Sequence, residues 1–175
     1  APPVEEARYG GTLLFGLDAS LASLDPVWTT ASVTENVARQ VWDPLFAWDE
    51  RFASKPQLVE SWKASPDLVE WTFTIREAFF HDGRPITAED VVLSTKRWGA
   101  RSPPGVSYFA MVDKIEVVDA RTFRVRFKEP FGLALDYLAA YPFIMPKELA
   151  TVPPAKSIEA YTGSGPFRLV EWKPG

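Results

Sequence analysis

The sequence predicts a mixed α/β protein in which helices pack against antiparallel strands. Residues 69–76 and 123–127 alternate apolar and polar side chains, which is typical of strands with one buried face. Two other stretches begin with helix-capping patterns and continue with apolar residues at helical spacing. Strands and helices do not alternate regularly, so the prediction is α+β or irregular α/β with antiparallel pairing in the middle of the chain.

The composition limits the class of protein. The 175 residues are 46% hydrophobic and 24% charged, which suits a globular fold, and they include no cysteine, which excludes disulfides and cysteine-based sites. A net charge of −4 without any basic cluster argues against nucleic acid as a partner. No apolar run approaches the roughly 20 residues of a membrane helix, and the first residues lack the basic and apolar regions of a signal segment. We therefore expect a chain that does not span a membrane.

The first predicted element is a short strand at residues 12–17, where three apolar residues alternate with others. A loop follows at residues 18–31. It has no periodicity, yet it carries the large aromatic side chain of Trp28. Loops of this kind often serve in binding, so this loop is a candidate functional segment.

Two helices are predicted from capping-box patterns, in which a hydroxyl and a carboxylate each bind a free backbone N–H group. Ser32 with Glu35 predicts a helix that ends near residue 42, shortly before Pro44. Thr87 with Asp90 predicts a second helix that ends near residue 99. The first helix would then begin directly after the Trp28 loop.

The remaining elements follow from alternation and from turn residues. Residues 69–76 are predicted as a strand, and residues 115–118 and 123–127 as an antiparallel hairpin. A helix is expected at residues 131–140, and a last strand at residues 167–172 after a glycine-rich turn.

The only histidine is the strongest candidate for acid–base or metal chemistry. His81 is followed by Asp82 and Gly83 in a turn sequence, whereas helical metal ligands are spaced four residues apart. Glu89 and Asp90 begin the following helix, where carboxylates favourably meet the helix dipole. We therefore expect a structural turn, with no metal ligand and no catalytic residue.

Three aromatic residues do not follow the periodicity of a core. They are Trp28, Tyr108 and Phe109. Aromatic side chains serve both in ligand clefts and as apolar contacts between lobes, so both roles stay open for these three at this point.

Several separated motifs together resemble one protein family, the extracellular solute-binding proteins of family 5, which are receptors of bacterial ABC importers. They are LDP at 24–26, DPL at 43–45, LVESW at 58–62, WTFTIR at 71–76, FHDGRPITAEDVV at 80–92 and GSGPFRLVEWKPG at 163–175. Their order along the chain makes this signal more specific than any single short motif.

The resemblance implies a type II periplasmic-binding-protein fold. Residues 1–45 would begin lobe I, residues 46–162 would form a small extra domain with antiparallel strands, and residues 163–175 would return to lobe I. Family members are longer and have a second large lobe. The implied protein is a receptor without catalytic activity or cofactor, exported to the periplasm or tethered at the cell surface. It would pass a peptide or similar small polar solute to a membrane permease.

The resemblance also implies ligand-binding residues. In such proteins, the loop that corresponds to residues 28–30 and the start of the helix at Ser32 lie where lobe I meets the ligand. The aromatic segments that correspond to Tyr108 and Tyr141 reach the cleft in some members. The implied contacts are Trp28, Thr29, Thr30, Ser32, Tyr108, Phe109 and Tyr141.

Two alternative functions come from the residues themselves. One is a stand-alone interaction domain, in which the wet strand face with Arg124, Arg126 and Lys128 docks a partner. The other is a hydrolase that uses His81 with Asp82 or Glu89.

Overall fold

A four-stranded antiparallel sheet lies at the centre of the fold. The computed structural model describes residues 10–140 and 142–173. The helices are α1 (Ser32–Val41), α2 (Ala88–Gly99), α3 (Pro103–Met111), α4 (Ala134–Leu138) and α5 (Lys147–Ala150). The strands are β1 (Phe46–Trp48), β2 (Ser54–Pro56), β3 (Val59–Ala64), β4 (Glu70–Ile75), β5 (Val112–Val117) and β6 (Thr122–Phe127). The sheet has the order β3-β4-β6-β5, and β1 and β2 form a separate hairpin.

Alternation along β4 and β6 gives the sheet one buried face, as the sequence predicts. Phe73 pairs with Phe123 in the register of the two strands, and their rings stack with centroids 5.0 Å apart. Helix α2 covers this face and adds Val91 and Trp98 to the same core. The predicted hairpin is also confirmed, because β5 and β6 pair antiparallel.

Both predicted helices are present, but only one has the predicted cap. The Thr87 hydroxyl accepts a hydrogen bond from the Asp90 backbone N–H, and the Asp90 carboxylate accepts one from the Thr87 N–H. At α1 the residue in the capping position is Ala31, and no side chain caps the helix. The capping role of Ser32 is therefore wrong, because α1 begins with Ser32 already inside the helix.

Three other predicted elements differ from the structure. Residues 12–17 and 167–172 form no strand. Alternation produces a strand only where a second strand completes the backbone hydrogen bonds, and no described segment pairs with either stretch. The helix expected at 131–140 is shortened to α4. Among the described residues, no helix has both the length and the apolar character needed to cross a membrane.

A buried ion pair joins the loop before α1 to the last turn of α2. The carboxylate of Asp25 accepts hydrogen bonds from both terminal nitrogens of Arg97, at 3.0 and 2.7 Å. Their side chains are 0% and 2% exposed. The same carboxylate accepts the backbone N–H groups of Val27, Trp28 and Ile158 at 2.9, 3.2 and 3.0 Å. Asp25 therefore fixes the loop, the helix and the segment near residue 158 at one point.

Arg97 uses its remaining donors on a distant part of the chain. Its Nε donates to the Val152 carbonyl at 2.9 Å, and one terminal nitrogen also donates to the Lys156 carbonyl at 3.1 Å. Burial raises the pKa of Asp25, but the hydrogen bonds and charge of Arg97 and the backbone donors outweigh it, so this pKa lies below its ordinary value of 3.8. The carboxylate is therefore charged and fully hydrogen-bonded at neutral pH.

The glycine-rich segment near residue 165 lies against the end of α1. The Gly165 N–H donates to the Val41 carbonyl at 2.9 Å, and a Cβ atom at Gly163 would overlap the same carbonyl oxygen. The His81 N–H donates to the Gly163 carbonyl at 2.7 Å, and its Nε2 lies 2.8 Å from the Gly165 carbonyl oxygen. His81 thus holds the glycine-rich segment by contacts of its own N–H group and its ring with two backbone carbonyl groups of that segment.

Arg97→Ala is expected to lower the free energy of unfolding by about 3–5 kcal/mol, because it leaves the buried Asp25 carboxylate without its charge partner. The control is Lys147→Ala, which breaks the exposed pair with Glu89 (2.8 Å) and should cost at most about 1 kcal/mol.

The stability that the buried pair contributes depends on pH. It is present above the unfolded pKa of Asp25, about 3.9, and is lost as the pH falls through the lower pKa of the folded state. Urea unfolding at several pH values measures the loss, and equal losses in both variants would contradict it.

Thr87→Ala and Ser32→Ala should differ although both remove a hydroxyl at the start of a helix. The first breaks a capping box and should cost about 1 kcal/mol, whereas the second removes no cap and should change stability by less than about 0.5 kcal/mol. Thermal and urea unfolding of the two variants measure this. A larger loss for Ser32→Ala would contradict the assignment of the caps.

Candidate ligand-binding groove

The loop that carries Trp28 is held in a fixed shape by its own side chains. The Asp25 carboxylate binds the N–H groups of Val27 and Trp28, which is the turn that an Asp-Pro sequence favours. The Thr29 N–H donates to the Asp25 carbonyl at 3.2 Å, and Arg101 Nε donates to the Trp28 carbonyl at 3.0 Å. The loop is therefore fastened to α2 and to the residues just after it.

A groove of about 400 Å³ opens beside this loop. It lies where the loop, the first turn of α1, the end of β1 and the turn between α2 and α3 meet. Its lining residues are Pro26, Thr30, Glu35, Trp48, Trp98, Ser102, Pro103, Pro104, Ala140 and Phe143. The walls are mostly aromatic and proline side chains with two hydroxyls, which is the usual composition of a small-molecule site.

Four of the predicted contact residues lie in or next to this loop. Thr30 lines the groove. Trp28 and Thr29 are partly buried neighbours of Thr30 along the chain, and Ser32 is exposed at the start of α1. The structure thus brings this predicted set to one place, although only Thr30 is a lining residue.

Tyr108 and Phe109 lie elsewhere. Tyr108 is 0% exposed and packs edge-on against Phe127, with ring centroids 5.5 Å apart. Burial raises the pKa of Tyr108, and its hydroxyl has no hydrogen-bond partner among the described residues. Phe109 packs against Tyr108 and fills the space beside Gly99. Neither residue lines the groove, and both occupy core positions. Tyr141 lies outside the described residues.

The groove has one charged side chain among the described residues that line it, Glu35. Burial raises the pKa of this carboxyl, and the charge of Arg39, one turn further along α1, opposes part of that effect. The groove is therefore an apolar site with a single, partly desolvated carboxylate.

The residues of the hydrolase hypothesis each have a separate partner. His81 binds the glycine-rich segment, Asp82 forms an ion pair with Arg84 at 2.8 Å, and Glu89 pairs with Lys147. In residues 10–140 and 142–173, no group of three or more His, Asp or Glu side chains could hold a metal ion. Asp82 and Glu159 line a groove together with His81, but no described carboxylate is hydrogen-bonded to the His81 ring.

Neighbouring groups largely balance the positive charge of the strand face that carries Arg124, Arg126 and Lys128. Arg124 lies 3.6 Å from a carboxylate oxygen of Glu70, and Arg126 lies 3.7 Å from one of Asp113. Lys128 donates to the backbone carbonyl of Ala110 at 2.7 Å. A compensated face offers little net charge for steering a charged partner.

Sequence reasoning missed the residues that hold and line the groove. The turn-forming Asp-Pro pair could have indicated that the Asp25 side chain is tied to its own loop. Arg97 stands next to the buried Trp98 near the end of α2, where a long basic side chain usually reaches the solvent, so nothing local shows that it is buried. Trp48 carries no local signal for its place in the groove either.

Comparison with known proteins gives consistent results. A family model for bacterial extracellular solute-binding proteins, family 5, matches residues 53–175. The probable peptide ABC transporter periplasmic-binding protein y4tO of Sinorhizobium fredii is 38% identical over 153 residues, which is 86% of this chain and 29% of that protein. This relative is about three times as long as the matched region.

Solved structures give the same result for the fold. The binding protein AgaA of A. tumefaciens R10, in complex with agropinic acid, superposes with a TM-score of 0.77 at 29% identity, over 88% of this chain and 32% of that one. The oligopeptide-binding protein AppA of Bacillus subtilis, in complex with a nonapeptide, gives 0.71 at 27% identity, over 86% and 32%.

These neighbours confirm the predicted fold, which is part of a type II periplasmic binding protein. The chain spans about a third of their length. The family match covers well over half of the chain and confirms the resemblance seen in the motifs. The chain belongs to the bacterial extracellular solute-binding proteins of family 5.

Proposed function

We propose that this protein is the solute-binding component of a bacterial ABC importer. It captures a peptide or similar small polar solute and delivers it to a membrane permease. The groove beside Thr30 is the observation that carries the proposal, because it is an apolar recess with hydroxyls at the place where the family resemblance puts ligand. Relatives named as peptide transporter proteins, and one solved with a nonapeptide, support a peptide as the class of solute. Their periplasmic naming supports an exported location, either periplasmic or tethered at the cell surface.

The proposed ligand contacts are Trp28, Thr29, Thr30 and Ser32, together with Tyr141. The hydroxyls of Thr30 and Ser32 are exposed and lie near one another along the chain, so they suit the amide groups of a peptide. Ala140 and Phe143, which flank the position of Tyr141, line the groove. Tyr108 and Phe109 are left out of this set because they pack in the core.

The proposed organisation makes the groove part of a larger cleft. Residues 1–45 and 163–175 belong to lobe I, and residues 46–162 form the small extra domain. In binding proteins of this type, ligand is enclosed when two lobes close about a hinge. The groove described here is one wall of such a cleft, and no catalytic step is part of the proposal.

Calorimetric titration with a mixture of dipeptides to hexapeptides tests the proposal. We expect the product of the complete gene to bind peptide with a Kd of about 1 μM, and this chain alone to bind far more weakly, because one wall buries only part of the ligand. Failure of the complete protein to bind any peptide would contradict the peptide class. Micromolar binding by this chain alone would contradict the need for a second wall.

Thr30→Val is expected to weaken peptide binding to the complete protein about fivefold, since it removes one hydrogen-bonding hydroxyl at nearly constant shape. Thr151→Val is the matched control, because it makes the same substitution at an exposed residue that does not line the groove. An unchanged affinity in Thr30→Val, or an equal loss in Thr151→Val, would argue against this placement of the ligand.

A further inference from the structure

Glu35 carries the one carboxylate among the described residues that line the groove, and it lies where a ligand can reach it. Glu35 is in the first turn of α1 and lines the groove opposite proline and aromatic residues. Within residues 10–140 and 142–173, no hydrogen bond or ion pair of its carboxylate is found, although the charge of Arg39 acts on it from one turn further along α1. It differs in this from the carboxylates of Asp25 and Asp90, which are buried and fully used in holding the fold.

The surroundings of Glu35 favour a positive charge. Burial raises the pKa of this carboxyl, which means that its charged form is poorly hydrated where it stands. A partly desolvated carboxylate gains more from a nearby cation than a solvated one does. Trp48, which is 39% exposed, lines the same groove, and the face of an indole ring also attracts cations.

The charge of Arg39 does not remove this preference. Arg39 lies one turn along α1 and offsets only part of the effect of burial on the pKa of Glu35. It is not a lining residue of the groove, so a ligand that enters the groove meets the carboxylate and not the guanidinium. Among the described lining residues, an anionic group would meet Glu35 and uncharged side chains, and it would be repelled.

We propose that this groove receives a cationic group of the solute, an ammonium or a guanidinium, and that Glu35 is the residue that selects it. The identity of the remaining part of the solute rests on the proposed function. The preference for a cation rests on Glu35 and the groove alone. Glu35 binds the cation through its carboxylate, and the ring of Trp48 lies alongside. A solute with a neutral group of equal size would fill the groove with less affinity.

The groove can be tested with a small probe, n-butylammonium chloride, against n-butanol as its neutral counterpart. The indole N–H signals of Trp48 and Trp98 are followed by NMR in this chain. We expect saturable shifts with n-butylammonium, at least about fivefold weaker binding in Glu35→Gln, and no difference between the two proteins with n-butanol. Glu89→Gln, which removes an exposed carboxylate of α2 that does not line the groove, should bind like the wild type.

Two results would overturn the proposal: n-butylammonium that binds Glu35→Gln as well as the wild type, or no saturable shift in the wild type. Glu35→Gln and Glu89→Gln each remove a carboxylate from the first turn of a helix, so both should lower the unfolding temperature slightly and to a similar extent.

A peptide pair separates this proposal from the proposed function. The complete protein is titrated with Ala-Lys-Ala and with Ala-norleucine-Ala, which differ by one ammonium group. Tighter binding of the lysine peptide that is lost in Glu35→Gln supports both proposals. Equal binding of the two peptides by wild type and variant overturns the role of Glu35 and leaves the receptor function intact. Binding of n-butylammonium without binding of either peptide overturns the peptide class and leaves the cation preference intact.

Discussion

The buried ion pair between Asp25 and Arg97 holds the parts of the chain that surround the groove. It joins three parts of the chain that are not connected by a common sheet or helix. They are the loop before α1, the end of α2 and the segment around residues 152–158. Burial of a charge pair costs desolvation energy, which further hydrogen bonds of the two groups help to offset. Here the backbone groups of the loop and of the later segment supply such bonds, so the pair also fixes the backbone.

The groove exists because of that fixed backbone. Thr30 follows the turn that the Asp25 carboxylate forms, and Glu35 follows it in the first turn of α1. The opposite wall comes from Trp98 and the turn after it, directly next to Arg97 in α2. The ion pair therefore holds the backbone next to Thr30 and next to Trp98, which both line the groove. The Asp25 carboxylate is fully hydrogen-bonded within the fold, whereas the Glu35 carboxylate can bind a ligand.

The elements that the sequence predicts correctly are those determined by local pattern. Alternation at 69–76 and 123–127 predicts β4 and β6, and Thr87 with Asp90 predicts both the cap and the start of α2. Prediction fails where the outcome depends on distant residues. Residues 12–17 alternate but have no strand to pair with, and Ser32 matches a capping pattern that the preceding backbone does not use. Asp25 and Arg97 are 72 residues apart, and the residues that line the groove come from positions between 26 and 143, so neither follows from local spacing.

Amide hydrogen exchange in Arg97→Met measures whether the ion pair holds these segments of the chain together. Methionine keeps much of the length and apolar stem of arginine but removes its charge and its donors. If the ion pair holds the three parts together, residues 24–30 and 152–158 lose protection together, while β4 and β6 keep theirs. Loss of protection in only one of the two segments, or unchanged protection in both, would contradict the role assigned to Asp25 and Arg97.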